Sequence, residues 1–145
     1  MPKESFGGKP FVSLDHKPMF AELAIKILFE KSGWSSRWIE TYGRGNMNPI
    51  FLNEWEDKIF SSQIHDPIAY KKVNDLLFSI AKINGNSLSG CWDVLGWTDD
   101  QILFSESKRR KKDAMRSSQL KWLHSALLAG LSNDNFLIVE WDFKN

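Results

Sequence analysis

Glu106 and Lys108 stand two residues apart in the run Ile102-Leu103-Phe104-Ser105-Glu106-Ser107-Lys108. In a strand, residues i and i+2 share a face, so this carboxylate and this ammonium project together. Asp93 is a second polar residue in apolar company, between Trp92 and Val94. Polar groups are costly at such places unless they are paired or used. Thr98-Asp99-Asp100-Gln101 reads as a turn between the two runs. A hairpin centred between Asp99 and Asp100 sets Asp93 directly opposite Glu106, with Cβ atoms about 4.5–5.5 Å apart. A slip of one residue would send Asp93 to the other face. Two carboxylates that close repel each other, and a divalent cation relieves the repulsion. Oxygen donors favour Mg²⁺ or Mn²⁺ over Zn²⁺. Such an ion polarises a phosphate oxygen and acidifies a water, and a neighbouring ammonium stabilises the charge that develops. Glu-x-Lys alone is more simply an ordinary ion pair at a sheet edge.

The stretch after Glu106 is basic. Lys108, Arg109, Arg110, Lys111, Lys112 and Arg116 face only Glu106 and Asp113 within 106–116. This stretch carries +4, and the rest of the chain −3, inside a net charge of +1. A local cationic run in a near-neutral chain suits a polyanion such as a nucleic-acid backbone, or is simply a solvated loop.

These residues need elements to hold them. Residues 1–17 read as a tail, punctuated by Gly7-Gly8, Pro10 and then Pro18. Met19 to Ser32 has helical spacing, with Phe20, Leu23, Ala24, Ile27 and Leu28 as the core stripe and Gly33 as its stop. Trp34 to Tyr42 reads as a strand ended by Gly43-Arg44-Gly45-Asn46. In 44–66, Phe51, Leu52, Trp55 and Ile59 fit a short helix or a packed loop equally well. Asp66-Pro67 starts a helix whose stripe is Val73, Leu76, Leu77 and Ile80, closed by Asn84-Gly85. Cys91–Trp97 and Ile102–Lys108 are strands. Ala114–Ala129 is a helix with the stripe Leu120, Leu123, Leu127 and Leu128, stopped by Gly130. Phe136-Leu137-Ile138-Val139 has the look of a buried strand. The expected fold is α/β (α+β): one mixed sheet with flanking helices in a single domain spanning 1–145.

Composition excludes several classes. The 145 residues fit one domain, with 42% hydrophobic residues and seven Trp for a core. The lone Cys91 rules out an internal disulfide framework and a cysteine-based zinc site. No run reaches the ~20 apolar residues of a membrane span, and Met1-Pro2-Lys3-Glu4-Ser5 lacks the apolar centre of a signal peptide. The expectation is a soluble, cytoplasmic protein. His16, His65 and His124 show no ligand spacing, and Ser105 and Ser107 no partner histidine.

Trp92-Asp93-Val94-Leu95, the turn, and Leu103-Phe104-Ser105-Glu106-Ser107-Lys108 resemble the D…E-x-K core of the PD-(D/E)xK nucleases. Asp113, Arg116, Gln119, Trp122-Leu123 and Gly130 resemble the tail that comes after it in the VRR-NUC branch. The clear resemblance covers roughly residues 91–141, the motif core. It implies a restriction-endonuclease-like αβββαβ core with an extra helix inserted before the second strand, within 44–90. It implies Asp93 and Glu106 as metal carboxylates, the Ser107 carbonyl as a further ligand, Lys108 as the catalytic lysine and Gln119 beside the site. The family places a glutamate on its first helix, here Glu22 or Glu30. Glu22 is preferred because it comes early, although a surface pair with Lys26 is an equal reading. Trp92 stands where proline is common, and Ser107 where valine is.

The activity so implied is Mg²⁺- or Mn²⁺-dependent hydrolysis of DNA phosphodiesters, with Arg109, Arg110, Lys111, Lys112 and Arg116 positioning the backbone. The substrate would be DNA, branched and single-stranded forms included, with no membrane partner. Minimal members of the branch can act as dimers on branched DNA, so a homodimer is among the partners the resemblance allows. The rivals are a nucleic-acid-binding module that keeps the fold without turnover, and an interaction domain whose basic run is a solvated loop.

Overall fold

The run Ile102-Leu103-Phe104 anchors a strand of eight residues. In the computed structural model, which describes residues 11–41, 49–56, 58 and 60–142, β5 (Val94–Trp97) and β6 (Ile102–Arg109) form an antiparallel hairpin. Its register pairs Val94 with Ser105, Leu95 with Phe104, Gly96 with Leu103 and Trp97 with Ile102. The turn is therefore centred between Asp99 and Asp100, as its sequence predicts. Thr98 closes it: its N–H donates to the Gln101 carbonyl at 2.9 Å, and its Oγ1 accepts the Gln101 N–H at 3.1 Å.

Around this hairpin stand β3 (Ser35–Glu40), β4 (Ile50–Leu52) and β7 (Phe136–Trp141). The sheet order is β4-β3-β5-β6-β7, and only β7 runs parallel to its neighbour. With α1 (Ala21–Lys31), α2 (Lys71–Ile83) and α3 (Ser117–Leu128) flanking it, the fold is α+β with a mixed sheet. From α1 onward, and leaving out β4, α2 and two 3-10 turns, the element order is α1-β3-β5-β6-α3-β7. No helix among the described residues is long and apolar enough to cross a membrane.

The two sheet faces are covered differently. On one, α1 approaches closely because Gly96 has no side chain: a Cβ there would lie 2.6 Å from the Phe29 ring. Ser36, also on this face, donates its hydroxyl to the Lys26 carbonyl. On the other face, Leu95, Phe104, Trp122, Ala126, Leu77 and Ile80 form the main core. Each large side chain fully withdrawn from water there contributes roughly 1.5–3 kcal/mol.

Several elements differ from their sequence expectation, each because of a tertiary contact. Residues 11–17 are not a tail: β1 (Phe11–Leu14) and β2 (Lys17–Phe20) make a hairpin, with Phe11 and Phe20 packing as part of a second, smaller core. Residues 1–10, Tyr42, Gly43-Arg44-Gly45-Asn46 and Ile59 lie outside the described residues. The 44–66 region holds β4 and a 3-10 turn at Phe60–Ser62. The helix expected at Asp66-Pro67 starts at Lys71. Asp66 is held at the sheet edge instead, where its N–H donates to Phe51 and Arg37 binds both its carbonyl and its carboxylate. In α1 the buried face turns to include Glu22, Ile25 and Lys26, and Leu28 is exposed. In α3 the buried stripe is Gln119, Trp122, Ser125 and Ala126, whereas Leu120, Leu127 and Leu128 are exposed. β7 is an edge strand, so Leu137 and Ile138 keep nearly half their surface in water.

Candidate active site

The open end of the β5–β6 hairpin collects the charged residues. Asp93 immediately precedes β5, and the observed register continues to set it across from Glu106. The Asp93 N–H donates to Glu106 Oε1 at 3.0 Å, and the Ser107 N–H donates to Asp93 Oδ2 at 3.2 Å. The N–H and C=O of one strand residue point to the same side. The Ser107 carbonyl therefore also faces the Asp93 side of β6.

Glu106 shares the core face of β6 with Phe104, and α3 closes over it. Gln119 Nε2 donates to Glu106 Oε2, while Gln119 Oε1 accepts from Lys108 Nζ at 3.0 Å and from the Arg116 N–H at 2.9 Å. The amide orientation is set by this network: the oxygen faces two donors and the nitrogen faces a carboxylate. Lys108 Nζ also lies 3.3 Å from Glu106 Oε2. The side chains are 2% exposed for Glu106 and 11% for Lys108. Burial raises the Glu106 pKa above the ordinary glutamate range, and Lys108 and the Asp93 N–H partly offset the rise. Cys91, buried close by, has its thiol pushed well up, chiefly by burial and then by the charges of Glu106 and Asp93. It is therefore held as an unreactive thiol.

The donor set suits a hard divalent cation. Two carboxylates and a carbonyl are enough for Mg²⁺, which commonly takes one or two carboxylates and keeps water or substrate oxygens for its remaining positions. Among the described residues, no three His, Cys, Asp or Glu side chains group in a way that could hold a metal. Glu22, the favoured helix ligand, is 4% exposed on α1, the helix of the opposite sheet face. Lys26 pairs with Glu30.

The basic run forms the loop between the strand of Lys108 and the helix of Gln119. Asp113 shapes it by accepting the Arg109 N–H at 2.9 Å and donating its own N–H to the Arg109 carbonyl. That turn delays α3 from the expected Ala114 to Ser117. Arg110, Lys111, Lys112 and Arg116 are exposed, while Arg109 is half-buried with its guanidinium 6.0 Å from the Trp141 ring. Arg110 has a loose, exposed contact with Glu140.

Sequence reasoning missed two supports of this site. The Trp141 indole donates to Ser107 Oγ at 2.9 Å, and the Trp92 indole donates to the Gln119 carbonyl at 3.1 Å. The signal for the second was the large aromatic immediately before Asp93. A separate cavity of about 520 Å³, lined in part by Trp34, Tyr70, Leu76 and Leu103, lies at the turn end of the hairpin. It is about 20 Å along β6 from Lys108 at the usual strand rise. No family model, curated protein or solved structure matches this chain.

Proposed function

We propose that this protein is a divalent-metal-dependent DNA nuclease hydrolysing phosphodiester bonds. The observation that carries this reading is the Asp93–Glu106–Lys108–Gln119 network, two facing carboxylates and an oriented ammonium beside a +4 loop. The D…E-x-K resemblance supports it. Asp93, Glu106 and the Ser107 carbonyl would hold Mg²⁺ or Mn²⁺, which when bound polarises the phosphate and acidifies the attacking water. Lys108 places its positive charge where negative charge grows on the phosphoryl oxygens. Gln119 keeps that ammonium from collapsing fully onto Glu106, because its amide oxygen competes for the same protons. Arg110, Lys111, Lys112 and Arg116 bind the flanking backbone through phosphate contacts, without reading sequence. A homodimer and a cytoplasmic setting belong to the same reading.

The test is a cleavage assay on single-stranded, duplex, flapped and four-way DNA with Mg²⁺ or Mn²⁺. Wild type is compared with Glu106→Ala and Lys108→Ala. Product from wild type and a loss of about 10²–10³-fold in either variant is expected. A second reading, a DNA-binding module without turnover, is favoured by the internal pairing of Glu106, whose two oxygens already meet the Asp93 N–H, Gln119 and Lys108. Salt-sensitive DNA binding with no metal-dependent product would establish it instead.

A further inference from the structure

We infer that Trp92 is a positioning residue that sets Gln119, and through it the Lys108 ammonium; this rests on the nuclease reading for its consequence in catalysis. Three observations converge on the strap formed by residues 84–92. Asn84 is buried at its start. Its amide nitrogen donates to the carbonyls of Ser87 and Ser89 at 2.9 and 3.0 Å, and its oxygen accepts the Ser125 hydroxyl of α3 at 3.3 Å. Gly90 then passes under the first turn of α3 so closely that a Cβ would lie 2.0 Å from the Ser118 carbonyl oxygen. Its φ of +81° is one that L side chains rarely adopt, so glycine meets both demands. Finally the Trp92 indole, 2% exposed and packed edge-on against Phe136, donates to the Gln119 carbonyl.

That carbonyl belongs to the residue whose side chain links Lys108 to Glu106. The indole thus grips the main chain of Gln119, while Arg116 and Lys108 bind its amide oxygen. The next residue along the strap is Asp93, so a single dipeptide fixes one carboxylate and sets the partner of the other. A main-chain shift of Gln119 by a few tenths of an ångström would move its amide contacts to Lys108 and Glu106. Groups that orient the contacting shell of a site commonly change activity by 10–100-fold when lost.

The test removes only the indole N–H. Trp92 is replaced by benzothienylalanine, whose ring is isosteric but has sulfur in place of the N–H; Trp92→Phe, the genetically simple counterpart, also removes ring volume. The expected result is a kcat about 10-fold lower with KM within about two-fold, and a thermal midpoint close to wild type for the isostere. In a Gln119→Ala background the same replacement lowers kcat no further, because residues acting through one contact are non-additive. An NMR readout works without turnover: the Gln119 side-chain NH₂ resonances shift and exchange faster with solvent in the isostere. Unchanged kcat and unchanged Gln119 resonances overturn the inference, as does an equal kcat loss in the Gln119→Ala background. If wild type cleaves no substrate but the Gln119 resonances respond, the nuclease reading fails and the positioning of Gln119 stands.

Discussion

The two ends of the β5–β6 hairpin carry the same residue types and have opposite fates. At the turn, Asp99 and Asp100 are exposed, and Tyr70 and Lys72 of the α2 region reach only the Asp99 main-chain carbonyl. At the open end, Asp93 and Glu106 are drawn inward, where each carboxylate accepts a main-chain N–H from the opposite strand. The strand pairing is one continuous register, so it does not explain the difference. The third element does: α3 lays Gln119 and Trp122 over the open end, whereas the turn end borders a cavity. Glu106 is held inside because a helix both dehydrates it and supplies a donor. Left in water, Asp99 and Asp100 are turn formers.

That contrast is breakable by substitution. Lys108→Ala is expected to lower metal-dependent DNA cleavage by about 10²–10³-fold, leaving the DNA dissociation constant within a few-fold. Asp100→Ala at the other end should leave turnover unchanged; equal losses from both would erase the distinction. Gly90→Ala strikes the strap beneath α3, where backbone rather than a movable side chain meets the new Cβ. It should cost about 2–4 kcal/mol, measured as a lower urea midpoint.

The pH dependence of stability separates the ends more finely. Burial raises the folded-state pKa of Glu106 above its ordinary value of 4.5. The group therefore contributes stability below that value, and the contribution is lost as pH rises through the raised folded pKa. Measured in EDTA, wild type should lose ground to Glu106→Gln as pH is raised from 4.5 upward. Asp99→Asn should run parallel to wild type. The smallest effect falls on the exposed loop. Lys111→Ala with Lys112→Ala should reduce the salt slope of DNA binding by about one per lysine, with little change in kcat once substrate saturates.

Much of the hairpin was legible because its information is local. Turn residues, alternation and the E-x-K spacing lie within sixteen residues of one another, and the strand period of two leaves one register that puts Asp93 beside Glu106. The α2 stripe was legible too: Val73, Leu77 and Ile80 are buried, and Leu76 packs against them. The α3 stripe misled. Leu120, Leu127 and Leu128 are the more obvious apolar series, yet Gln119, Trp122 and Ala126 also keep helical spacing at i, i+3 and i+7. The helix turned toward the series containing Trp122, which packs against Phe104, and toward a glutamine whose amide meets Glu106 and Lys108 of the sheet.

The sequence by itself determined the succession α1, β3, α2, β5, β6, α3 and β7, the hairpin register and the pairing of two carboxylates with a lysine, since each depends on near neighbours and a fixed period. Only the tertiary structure decided which face of α1 and α3 meets the sheet, that residues 11–20 form a hairpin, that β7 is an exposed edge, and that Gln119 stands between Glu106 and Lys108. Those outcomes depend on which surfaces distant segments bring together, and a helical period leaves more than one apolar stripe free to answer them.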